Sequence, residues 1–215
     1  MTPPELAVIY EDADLLVLDK PAGLLSVPGR GEDKQDCLSK RVQLRWPDAL
    51  IVHRLDMATS GLMVLARGLV NQRILNEAFS NRAVTKRYTA VVDGVAQQAI
   101  NAWHTIELPI IVDWPNRPRR IIDAREGKPS LTHWRVLSKD EAQQTTRVEL
   151  EPVTGRSHQL RVHLQAIGHP ILGDALYGCT RVQGLADRLL LHACAIEFKH
   201  PVKGDALQLK STVPF

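Results

Sequence analysis

Short β-type runs outnumber helical ones along this chain, and few strand–helix–strand units separate them. Those two observations predict an α+β fold, a mixed and mainly antiparallel sheet with flanking helices and loops, over a doubly wound parallel one. The length of 215 residues, with 44% hydrophobic and 24% charged, is that of an ordinary globule with ample chain for a core. It reads as one domain, or two halves sharing one sheet.

In chain order, residues 6–10 and 15–18 read as short strands split by the turn-like Glu11-Asp12-Ala13-Asp14. Two prolines and two glycines make residues 20–29 a loop. Asp36 is placed to cap a helix reaching Trp46, with Leu38, Val42 and Trp46 on one face and Pro47 as its stop. The apolar run at residues 62–66 reads as a buried strand. A helix follows over residues 70–79, with Ile74, Leu75, Ala78 and Phe79 as its buried stripe. Residues 84–92 alternate and read as a strand. Residues 109–129 read as a long, irregular basic loop carrying Trp114, because Pro115 and Pro118 exclude a regular helix. Strands follow at residues 132–137 and 145–151. Thr154-Gly155-Arg156-Ser157 then introduces a helix through Ile167, with Leu160, Leu164 and Ile167 on one face. Residues 189–198 and 207–209 close the sheet.

Composition excludes several classes. The three cysteines, Cys37, Cys179 and Cys194, are sparse, odd in number and without a C-x-x-C pair, which argues against a disulfide framework or a zinc site and fits a reducing cytoplasm. The N-terminal stretch has acids where a signal peptide carries its basic region. No apolar run approaches the ~20 residues needed to span a bilayer. A net charge of +3 and a pI near 8.8 point only weakly to a nucleic-acid partner. Gly29-Arg30-Gly31 lacks the third glycine of a dinucleotide loop. His158 and His163 lack the H-E-x-x-H pattern and default to helix-face or RNA-contact histidines.

The most informative string is His53-Arg54-Leu55-Asp56-Met57-Ala58-Thr59-Ser60-Gly61. An acid just before a dense apolar run reads as a carboxylate on a loop at the rim of a sheet, where catalytic groups tend to sit. Read as isolated polar residues, Asp56, Thr59, Ser60 and Gly61 would only shape a turn. The whole string, however, resembles the catalytic motif of the RluA-type pseudouridine synthases. Three further segments agree in family order: Lys20-Pro21-Ala22-Gly23-Leu24, Lys86-Arg87-Tyr88, and residues 154–163, T-G-R-S-H-Q-L-R-V-H. The strings at residues 168–174, G-H-P-I-L-G-D, and 190–193, L-L-H-A, also recur in that family. His53 before Arg54 fits the RluA type, since the small-subunit RsuA type usually carries glycine there. Residues 108–118 resemble its compact members.

The resemblance implies a pseudouridine synthase fold, with residues 1–215 as a single catalytic domain and no N-terminal RNA-binding domain of the S4 type. It implies that Asp56 is catalytic, that Tyr88 stacks on the target base, and that Arg161 pairs with the catalytic carboxylate. The reaction breaks the C1′–N1 bond of uridine, rotates the base and joins C5 to C1′. No atom is gained or lost, so no metal, redox cofactor or energy source is demanded. A carboxylate suits it, as nucleophile or electrostatic partner at the sugar carbon. Arg161 is a sensible counter-charge; at about 4 Å and an effective dielectric near 20 the gross attraction is ~4 kcal/mol, much of it lost to desolvation. The base must be flipped out, and Arg54 is placed to fill the vacated space. Arg117, Arg119, Arg120, Lys86 and Arg156 are candidate backbone contacts. The implied partners are RNA stem-loops, from 23S rRNA and from tRNA at the first anticodon-loop position, with no membrane and no obligatory protein partner. Two other readings remain at this stage: an RNA-binding or RNA-folding protein with a vestigial active site, and a carboxylate-dependent RNA glycosylase that releases base.

Overall fold

The computed structural model describes residues 6–215. The acidic stretch set against a signal peptide begins at residues 1–5, which lie outside the described residues. In chain order the elements are β1 (Ala7–Glu11), β2 (Leu15–Lys20), α1 (Leu38–Gln43), β3 (Ala49–Ile51), β4 (Ser60–Arg67), α2 (Gly68–Ser80), β5 (Thr85–Asp93), β6 (Trp103–Glu107) and β7 (Ile110–Val112). They continue with β8 (Arg120–Ile122), β9 (Leu131–Asp140), β10 (Thr145–Pro152), α3 (Gln159–Ala166), α4 (Thr180–Gly184), β11 (Leu191–Lys199) and β12 (Ala206–Lys210). They fall into two compact units. One runs to Lys86 and takes in Ala193–Pro214; the other is Arg87–His192 with Phe215.

In the first unit β1, β2, β4 and β11 lie side by side, with β3 on β4 and β12 on β11. The β1–β2, β2–β4, β3–β4 and β11–β12 pairs are all antiparallel. The runs in β2 and β4 are continuous rather than alternating because both faces are covered. Leu15, Val17, Leu62, Val64 and Ala66 pack with Leu75 of α2 and with Ile196 and Phe198. Leu16, Leu18, Met63 and Leu65 pack with Leu38 and Val42 of α1 and with Trp46, which lies beyond the helix because α1 ends at Gln43, short of the expected end at Trp46. Two further expectations need correction. Cys37, not Asp36, stands at the N-cap of α1; Asp36 instead takes both Nε and Nη2 of Arg41, at 2.7 and 2.5 Å. On α2 the buried residues are Asn71 and Leu75, with Ala78 and Phe79 partly covered, while Ile74 is 40% exposed. Residues 71, 75, 78 and 79 share one helical face, and Ile74 lies about 100° round from Leu75, on the flank.

A polar clasp ties the β1–β2 turn to the segment between β11 and β12. Asp12 accepts hydrogen bonds from Tyr10 (2.8 Å) and Lys203 (2.9 Å) and meets His200 Nε2 at 2.8 Å. Asp14 lies 3.8 Å from the same ring nitrogen. Burial pushes the Asp12 carboxyl up, but Lys203, the Asp14 N–H, Tyr10 and His200 outweigh it and hold the group below the usual carboxylate range. The Nδ1 of His200 accepts N–H groups from Val202 and Lys203, so Nε2 is the nitrogen left to donate to Asp12. Asp12, His200 and Lys203 thus form a hydrogen-bonded tether.

In the second unit the order is β5–β10–β9–β6, with β7–β8 as a separate ribbon. Here the strands alternate as a sheet with one packed face should. Thr132, Trp134 and Val136 of β9 and Thr146, Val148 and Leu150 of β10 are buried, while Arg135 and Glu149 sit directly opposite each other on the other face, with Nε to Oε2 at 2.8 Å. The predicted loop at 109–129 is a β-hairpin: Ile110, Ile111 and Val112 pair with Ile122, Ile121 and Arg120. Pro115 and Pro118 fall in its turn, where no ladder N–H is needed. Strands β3 and β6 are further departures from the sequence pattern: three and five residues long, they are too short to show a clear alternation. Finally, α3 is buried from Gln159 through Leu164, not on one face only, and Ile167 is its C-cap.

Candidate active site

The first unit holds the Asp56 loop by its backbone. Lys20, fully buried, donates through Nζ to the carbonyls of Pro21 (2.9 Å), Leu24 (2.8 Å) and Met57 (3.2 Å). Ser26 Oγ donates to Leu55 O at 2.7 Å and accepts the Leu55 N–H at 3.1 Å. The Gly23 N–H donates to Met57 O at 2.8 Å. The Lys20–Ser26 segment thus pins the residues on either side of Asp56. The Thr59 N–H closes a turn onto Asp56 O at 3.1 Å. Gly61 then enters β4 with φ +114°, and a Cβ there would lie 2.4 Å from the Ala193 carbonyl oxygen, so only glycine fits. The string is therefore a tethered loop leading into a strand buried on both faces. Asp56 is half-buried and Arg54 is exposed.

His53 serves the scaffold. Its Nε2 accepts the Val64 N–H at 2.9 Å, and its ring stacks on Phe79 with centroids 4.5 Å apart. Desolvation, with a smaller push from the Lys86 charge, lowers its pKa to about 3. The imidazole is neutral at ordinary pH, as an acceptor must be.

The second unit positions the other motif residues. Tyr88 lies on β5 opposite Leu150 of β10 and is half-buried. The turn before α3 is fixed by Gln159: its Oε1 accepts from Thr154 Oγ1 (2.7 Å) and the Arg156 N–H (3.0 Å), and its Nε2 donates to Leu131 O (3.0 Å). His158, the N-cap, has φ 58° and sets its Nδ1 2.7 Å from the Tyr177 hydroxyl. Arg161, 4% exposed, points a fork at Asp174: Nε to Oδ2 is 2.8 Å and Nη2 to Oδ1 is 2.6 Å. That fork uses two of the guanidinium's five N–H donors. His163, expected on a helix face or against RNA, is instead fully buried, with Nδ1 2.9 Å from Thr132 Oγ1 and Nε2 2.9 Å from Leu108 O. Burial lowers its pKa, partly offset by the Leu108 carbonyl.

The basic residues read as RNA contacts have distinct settings. Arg117 and Arg119 are exposed in the β7–β8 turn, with the Arg117 guanidinium 4.6 Å over the ring of Trp114, itself 64% exposed. Arg120 is half-buried, and its backbone N–H donates to the Tyr177 hydroxyl at 2.8 Å. Arg156 is exposed before α3, and Lys86 is half-buried on β5. Lys20, Ser26, Gln159, Asp174 and Tyr177 were given no part by sequence reasoning. Each lies in or beside one of the quoted strings, which is the signal the sequence carries for them; their burial shows only in the fold.

Comparison with known proteins gives one consistent picture. The family described as RNA pseudouridylate synthase matches residues 14–166. A protein named dual-specificity RNA pseudouridine synthase RluA from Escherichia coli is 45% identical over 212 residues, covering 99% of this chain and 95% of its own. The protein of that name from Yersinia pestis is 44% identical over 210 residues, covering 98% and 100%. Among solved structures, human RNA pseudouridylate synthase domain containing 1 superposes with a TM-score of 0.81 at 31% identity, over 100% of this chain and 87% of its own. Human RNA pseudouridylate synthase domain containing 4 gives 0.76 at 26% identity, over 97% and 88%. The α+β fold expected from the strand pattern is the one these proteins share.

Proposed function

The chain belongs to the RNA pseudouridylate synthase family, and from that premise we propose that Asp56 is the residue on which its chemistry turns. The enzyme is an RNA pseudouridine synthase, an isomerase that converts uridine to pseudouridine. The observation that supports Asp56 most is its tether: Lys20, Gly23 and Ser26 hold the Leu55 and Met57 backbone, so the carboxylate is presented on a loop that need not reorganise during reaction. Tyr88 serves as the platform for the flipped base and, through its hydroxyl, as a proton acceptor, and Arg161 as the fixed positive charge of the reaction. Exposed Arg54 fills the gap left by the target nucleotide. Arg117, Arg119, Arg120, Arg156 and Lys86 contact the RNA backbone.

The proposed substrates are two short folded loops, a hairpin of 23S rRNA and the tRNA anticodon stem-loop modified at its first loop position. A compact enzyme with few phosphate contacts reads such loops by shape and ease of deformation, with one uridine splayed out. We place this activity in the cytoplasm, with those RNAs. Among the described residues no helix is long and apolar enough to cross a membrane.

Isolated stem-loops of both kinds, incubated with the purified protein, should each yield pseudouridine, and binding should weaken as salt rises because arginine and lysine contacts release counterions. Activity on only one loop would remove the dual specificity; activity on neither, with turnover only on assembled ribosomal particles, would overturn the substrate reading. Free uracil in the same assay would instead reveal a glycosylase, and binding without product an inactive RNA-folding protein.

Tyr88→Phe separates stacking from proton transfer. We expect RNA binding to be kept and the single-turnover rate to fall at least ~100-fold, the scale of a lost general acid–base group. A Tyr88→Phe enzyme at wild-type rate would leave only the stacking role.

A further inference from the structure

We propose that Asp174 is a positioning residue for the isomerisation, one that sets the orientation of Arg161 through a buried two-point fork; the proposal rests on the reading of Arg161 as a residue of the reaction. Three features of the second unit carry it. First, the pair is enclosed: the Arg161 side chain is 5% exposed and that of Asp174 0%. Both Asp174 oxygens engage it, Oδ2 with Nε and Oδ1 with Nη2, which fixes the rotation of the guanidinium plane as a single contact would not. Second, Asp174 is itself held. Its Oδ1 also accepts the N–H groups of Leu176 (2.9 Å) and Tyr177 (3.0 Å). The residue before it, Gly173, has φ +71° and sits where a Cβ would lie 1.9 Å from the Arg188 carbonyl oxygen, so only glycine fits the close approach of the backbone that leads into Asp174. Third, the guanidinium carbon lies 5.0 Å from the centre of the Tyr177 ring, and the Tyr177 hydroxyl is anchored by the Arg120 N–H and by His158. Arg161 is therefore fixed both in its plane and across its face.

Stability gives a weak reason for such a pair. A buried ion pair loses to desolvation most of what it gains, and apolar residues of similar volume often replace one without loss. What the fork supplies is direction: an arginine with Nε and Nη2 committed presents its remaining N–H edge along one line. A misplacement of about 1 Å in a charged partner can cost ~100-fold in rate.

The test uses the full-length protein, a stem-loop substrate, single-turnover rates, RNA affinity and thermal melting. Asp174→Asn keeps the shape but weakens the fork, and should lower the rate about 100-fold while RNA affinity changes less than about 3-fold. Introduced into an Arg161→Met background, it should add no further loss, because both changes remove the same orientation. Equal losses in the two backgrounds would make Asp174 a general scaffold residue and overturn the proposal. So would a wild-type rate in Asp174→Asn beside a slow Arg161→Met. A wild-type rate in Arg161→Met would instead remove the reading of Arg161 itself. If Asp174→Asn does not fold, Asp174→Glu keeps the charge and shifts the carboxylate by one methylene; a folded Asp174→Glu protein should be slow with RNA affinity intact, and one at wild-type rate would equally end the proposal.

Discussion

Asp56→Asn is expected to abolish pseudouridine formation while the protein stays folded and binds RNA. Asparagine matches the size of the carboxylate and cannot supply its charge or its nucleophilic oxygen. The loop should survive, because it is held by bonds to main-chain atoms that the substitution leaves in place: Lys20 and Gly23 to Met57 O, Ser26 to Leu55, and Thr59 to Asp56 O. The predicted loss is roughly 10⁴-fold or more, the scale seen when the central group of a catalytic unit is removed. Mass-spectrometric quantification of pseudouridine in a stem-loop after a single turnover gives the answer, with melting temperature and RNA affinity measured on the same sample. Turnover near the wild-type rate would end the assignment.

The sequence revealed some parts of the molecule and hid others for physical reasons. The strands buried on both faces were legible because burial on two sides writes an uninterrupted apolar run, as at Leu62–Ala66. The α1 face was legible because Leu38 and Val42 recur at helical spacing; Trp46 packs on the same sheet face from beyond the helix end, so the same spacing overran the boundary at Gln43. The β7–β8 ribbon was not, since three residues per strand are too few for an alternation to be read and its turn is filled with proline and arginine. Ile74 misled because hydrophobicity alone does not tell the centre of a stripe from its flank. The candidate site was legible as strings and not as geometry. Asp56 and Arg54 stand out through the length of the motif, whereas Lys20 heads its own string with nothing there to mark its acceptors. Its acceptors include a carbonyl 37 residues away, a partnership no local pattern records. Asp174 was hidden likewise: a fully buried acid needs a cation, but nothing in its string names Arg161, 13 residues earlier, as that cation.

Arg161→Met is expected to cost at least ~100-fold in single-turnover rate with little change in RNA affinity. Methionine keeps most of the length and the apolar stem, so the packing of α3 beside Val162 and Leu164 is largely retained while the charge is lost. One preorganised electrostatic partner removed from a water-poor site commonly costs 10²- to 10³-fold in kcat, about 2.7–4 kcal/mol. The substitution has a second consequence that must be separated from the first. It leaves the Asp174 carboxylate buried with only the Leu176 and Tyr177 N–H groups among the partners described for it, a change that commonly destabilises by ~3–5 kcal/mol. Melting should therefore fall in Arg161→Met and recover in part in the Arg161→Met, Asp174→Asn double variant, where the stranded charge is gone. The rate should not recover with it, because no positive charge has returned. A double variant that regains both stability and rate would show that Arg161 matters only as a structural partner of Asp174. One that regains stability and stays slow is the result expected of an arginine that takes part in the reaction.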